Sequence, residues 1–114
     1  MFKLVILTAV LLASFAMPAA CQIQAGVFGG PNSLGQYQVR LTYPPSCRGT
    51  GSVLMARLIS DSGGVIPPIG HFRLSAGYPR ELRYWVWPGA HVQQKLSGLW
   101  RTVPVRNLPR GWFR

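Results

Sequence analysis

His71, Glu81 and His91 are the one conventional acid–base set in this chain of 114 residues. Two imidazoles and a carboxylate among arginines could cleave RNA, one group as base, one as acid, with cations holding the phosphate. The plainer reading is two surface imidazoles, because His71 stands in alternation with apolar residues and two histidines are ordinary in a small domain. A metal site is weaker. The histidines lie twenty residues apart and only two acids, Asp61 and Glu81, are present, too few for closed zinc coordination. No acid suits a nucleophilic triad. Gly49-Thr50-Gly51-Ser52 lacks the lysine and the strand–helix context of a phosphate loop. Neither Asn32 nor Asn107 opens a glycosylation sequon. Binding is therefore expected rather than catalysis, with no cofactor and no metal.

Arginine interleaved with aromatic residues carries more chemistry. Arg83, Trp85 and Trp87 alternate along one short segment, which places them on one face of a strand. A second group, Arg101, Arg106, Arg110, Trp112 and Arg114, stands with Lys95 and Trp100 in a closing stretch free of acids. Flat rings stack on bases or sugars, and guanidinium forks grip phosphate, sulfate or carboxylate. Such a mixture also partitions into anionic membrane interfaces. The competing structural reading makes Trp85 and Trp87 part of a second core layer and the closing stretch a solvated end. The C-terminal group is expected to be the main contact surface, with Arg83, Trp85 and Trp87 second.

These side chains need elements to hold them. Gln36–Tyr43 alternates Tyr37, Val39, Leu41 and Tyr43 against polar residues, the period of a strand with one wet face. Ser52–Ser60 is apolar on both sides apart from Arg57 and reads as a buried strand, with a short helix as the alternative. His71–Ala76 and Glu81–Trp87 alternate again. Ala90–Leu96 suits a strand or a helical turn, and Leu99–Val105 is strand-like until Pro104 demotes its end to an edge. Gln22–Leu34 reads as an irregular lead-in with a turn at Gly29-Gly30-Pro31-Asn32. The expectation is a small all-β sandwich or barrel of about five to six short strands over residues 21–106. Residues 107–114 form a basic aromatic tail.

Residues 1–20 have the layout of a cleaved export signal helix: Lys3, an apolar run from Leu4 to Leu12, then small residues around Pro18. That run is too short to span a bilayer comfortably. Its removal leaves about 94 residues, one small domain with a modest core. Cys21 and Cys47 are then expected to form one disulfide. If the cut falls beyond Cys21, Cys47 is a lone thiol; lipidation of Cys21 is a third, less favoured outcome, since the residues before it lack a branched apolar side chain.

Twelve basic residues, ten of them arginine, face two acids and give a net charge of +10. So few acids cannot neutralise the chain internally, and its field should draw polyanions. The sequence thus describes a secreted, extracellular or periplasmic, basic binding or effector protein. Its expected partner is an anionic glycan, an envelope surface or another polyanion such as nucleic acid; an anionic membrane surface is the next candidate, and any protein partner is unknown. The alternatives are a cationic membrane-active defence protein and a small ribonuclease-like enzyme.

Overall fold

A computed structural model describes residues 21–66 and 70–113; the expected export signal and Arg114 lie outside the described residues. The chain folds as eight strands: β1 (Gln24–Phe28), β2 (Tyr37–Thr42), β3 (Leu54–Ile59), β4 (Phe72–Leu74), β5 (Glu81–Val86), β6 (His91–Leu96), β7 (Leu99–Val103) and β8 (Val105–Arg106). A short 3-10 segment, Pro45–Thr50, follows β2. The strands form two four-stranded sheets, ordered β5-β2-β1-β8 and β4-β3-β6-β7. We call them sheet 1 and sheet 2.

Alternation sets what each sheet buries. Ala25 and Val27 of β1, Val39 and Leu41 of β2, and Val86 of β5 turn inward from sheet 1. Leu54, Ala56 and Leu58 of β3, Leu74 of β4, and Val92 of β6 meet them from sheet 2 in one apolar cluster. Phe72 of β4 and Tyr84 of β5 touch across the layers, their ring centres 5.8 Å apart. The all-β expectation therefore holds, with eight strands in place of five or six.

The two extra strands have physical reasons. β1 occupies the stretch read as an irregular lead-in. Ile23, Ala25 and Val27 are buried at a spacing of two, but Gly26 is buried as well, and with the nearby Gly29-Gly30 it masks the alternation. At Pro104 the chain changes sheets. Val103 pairs with Val92 in sheet 2, whereas Val105 pairs with Ala25 in sheet 1. Proline lacks the N–H that would continue either ladder, so one strand-like run becomes β7 and β8.

Ala90–Leu96, left open between helix and strand, is a strand because Ser97-Gly98 closes it onto β7. Both turn residues have positive φ, 51° and 80°, as a two-residue hairpin of the primed kind requires. β3 is buried on one face only: Met55, Arg57 and Ile59 are half-buried and lie outward.

Two cross-links fix the start of β1. Cys21 and Cys47 form a disulfide spanning 26 residues. Fully buried Gln94 of β6 accepts a hydrogen bond from the Ile23 N–H at 2.7 Å and donates to the Cys21 carbonyl at 2.8 Å. A buried amide is tolerable only when partnered in this way.

The closing stretch is not a solvated tail. Pro109-Arg110-Gly111-Trp112 makes a turn, with the Trp112 N–H donating to the Pro109 carbonyl at 3.1 Å and Gly111 at φ 78°. The turn drives Trp112 into the end of the core, where it is only 4% exposed. Its indole N–H donates to the Ala90 carbonyl at 2.9 Å, and its ring meets Tyr37 edge-on. Among the described residues, no helix is long and apolar enough to cross a membrane.

Candidate functional site

The outward face of sheet 1 gathers cations into one row. Arg83 of β5 stands opposite Arg40 of β2, Arg40 opposite Gly26 of β1, and Gly26 opposite Arg106 of β8. Neighbouring strands lie about 4.8 Å apart, so three arginine positions share one line across four strands. The next row holds Trp85, Gln38 and Phe28. Arginines therefore fill one row across the strands, and two aromatic residues flank it in the next.

Local contacts shape this face. The Arg40 guanidinium lies 4.3 Å from the centre of the Phe28 ring. Its Nε donates to Gln38 Oε1 in a long contact of 3.4 Å. Ring and amide together orient the fork and leave its outer edge toward solvent. Arg83 pairs with Glu81 at 3.1 Å, with both side chains substantially exposed. Such a pair is weak, so Glu81 offsets little of the local positive charge.

Gly26 lies buried within the row. A methyl group at this position would come within 3.2 Å of the Phe28 ring. Without one, a groove of about 280 Å³ runs between Arg40 and Arg106, with Phe28, Thr42 and Asn107 along its sides. A larger concavity of about 340 Å³ lies near the end of β5, walled by Trp85, Trp87, Tyr84 and Gln36. Asp61 lines it and no cation does, so it suits a polar or apolar group rather than an anion.

The sequence-derived candidates divide accordingly. Arg83, Trp85 and Arg106 come together on sheet 1, joined by Arg40 and Phe28, which the sequence reading left out. Trp85 and Trp87 are 42% and 57% exposed, so neither is a core residue. Trp87 follows the last residue of β5 and packs beside Gly35. Trp112 is removed from the contact surface by its burial. Arg101 sits opposite Gln94 on β7 in the other sheet, and Arg110 lies exposed in the turn before Trp112. The described members of the expected C-terminal group are thus dispersed, and of these only Arg106 is on the sheet 1 row; Arg114 lies outside the described residues. Register between strands, invisible in one sequence, is what would have revealed Arg40.

His71, Glu81 and His91 do not converge. Glu81 lies on sheet 1 beside Arg83, whereas His91 begins β6 in sheet 2 and stacks on Phe113, ring centres 4.5 Å apart. Among the described residues, no group of three or more His, Cys, Asp or Glu side chains is arranged to hold a metal ion.

The chain matches no protein-family model, no curated protein and no solved structure. Its functional reading rests on the geometry of its own residues.

Proposed function

We propose that this is an exported binding protein that contacts an anionic polymer or surface through the outward face of sheet 1. Arg83, Arg40 and Arg106 supply the charge, and Phe28 and Trp85 supply flat surface beside it. The single observation that carries the reading is the Arg83–Arg40–Gly26–Arg106 row. Like charges directly opposite one another across a sheet are unfavourable, and a bound anion relieves that repulsion. Gly26 adds no side chain between Arg40 and Arg106, so the groove between these two cations stays open. The Cys21–Cys47 disulfide supports export, since such bonds persist in oxidising compartments.

The test compares two variants of equal charge on heparin resin. Arg40→Gln/Arg83→Gln/Arg106→Gln empties the row; Arg48→Gln/Arg80→Gln/Arg110→Gln removes three exposed cations outside it. Wild type should be retained and released by salt, as screening of a charged contact requires. The row variant should elute at distinctly lower salt than its equal-charge counterpart. Co-elution of the two would reduce the effect to net charge and overturn the proposed face.

A further inference from the structure

The outward face of sheet 2 repeats the arrangement on the opposite side of the molecule. Arg57 of β3 lies 4.3 Å over the centre of the Trp100 ring of β7. Its Nε donates to Gln93 Oε1 at 2.8 Å. Lys95 approaches the same ring from β6 at 5.9 Å. Arg73, opposite Met55, extends the charge onto β4. On sheet 1 a glutamine holds Arg40 over Phe28; here a glutamine holds Arg57 over Trp100. Among the described residues, each face also carries three cations. The only acids in the chain, Asp61 and Glu81, lie in the turn after β3 and on sheet 1, so none falls on this face.

We infer that the outward face of sheet 2 is a second, independent site for a linear polyanion bearing sulfate or carboxylate groups. It follows that the protein bridges two polyanion chains. The inference rests on the reading of sheet 1 for its bridging consequence, while the second site stands on its own residues. Charge complementarity selects the occupant: Arg57, Arg73 and Lys95 meet no acid, and the Trp100 ring beneath Arg57 holds that guanidinium on the face. Two packed sheets lie about 10 Å apart, so their outward faces look in opposite directions. A short chain on one face cannot reach the other. Two sites therefore mean two chains.

Native mass spectrometry with a short heparin oligosaccharide counts the sites. Wild type should bind two oligosaccharides. Arg40→Gln/Arg83→Gln/Arg106→Gln and Arg57→Gln/Arg73→Gln/Lys95→Gln should each bind one, and the equal-charge variant at Arg48, Arg80 and Arg110 should bind two. If the sheet 2 triple variant does not fold, Arg73→Gln/Lys95→Gln leaves the Arg57–Trp100 stack intact and should show the same loss. With full-length heparin, wild type should scatter light at intermediate ratios and clear in excess of either component, whereas both face variants stay clear. One oligosaccharide on wild type, still bound by the sheet 2 variant and lost in the sheet 1 variant, overturns the second site and leaves the first standing. One oligosaccharide lost only in the sheet 2 variant overturns the sheet 1 reading instead. No binding by wild type overturns both.

Discussion

Arg40 faces Arg83 directly across two strands, and that pairing should cost stability rather than add to it. Replacing Arg40 with threonine, a good strand former, is expected to leave the unfolding free energy unchanged or raise it by up to about 1 kcal/mol. The same variant should bind heparin more weakly. Chemical denaturation beside a binding titration reads both effects, and a matched loss of stability and affinity would point to a structural residue. Gln94 should behave in the opposite way. Its amide serves the Ile23 N–H and the Cys21 carbonyl, so Gln94→Ala leaves buried polar groups without partners. A loss of about 1–3 kcal/mol in urea unfolding is expected, with heparin binding unchanged. Nothing in the sequence distinguishes Gln94 from Gln93, because the pattern of Ala90–Leu96 suits a strand or a helical turn, and these turn different amides inward.

Elements explain which candidates survived. Alternation within a segment was legible, so β2, β3, β4 and β5 lie within their expected ranges. Gly26 interrupts the apolar rhythm of β1, and Pro104 conceals a change of sheet; both strands of the parallel β1–β8 pair were therefore missed. Pro109-Arg110-Gly111 looked like a break releasing Trp112 to solvent. It is the turn that delivers the indole to Ala90. Trp112→Ala should accordingly cost about 3–5 kcal/mol, the range for emptying a large aromatic core position. Trp112→Phe should recover most of the packing and lose the Ala90 hydrogen bond; a neutral Trp112→Ala would contradict the core assignment. The disulfide acts on the same scale. It closes a loop of 26 residues, for which chain entropy gives about 3.5 kcal/mol. Thermal melts with and without reductant should separate by a corresponding drop in Tm.

At the scale of the whole molecule, charge was plain from composition but its distribution was not. Ten arginines in one chain predict attraction to polyanions; only strand register places six of the cations on two opposed faces, three in one row on sheet 1 and three spread over β3, β4 and β6 on sheet 2. The site was thus half legible: Arg83, Trp85 and Arg106 were named, while Arg40, Gly26 and Phe28 needed the sheet. The central claim is that the sheet 1 row, and not charge in general, meets the anion. Arginine side-chain NMR tests it most directly, by following each Nε–H during titration with a short heparin oligosaccharide. The Nε–H signals of Arg40, Arg83 and Arg106 should shift together at the lowest additions, with those of Arg48, Arg80 and Arg110 unmoved. Uniform small shifts across all the arginines, or shifts led by Arg101 and Arg110, would contradict it.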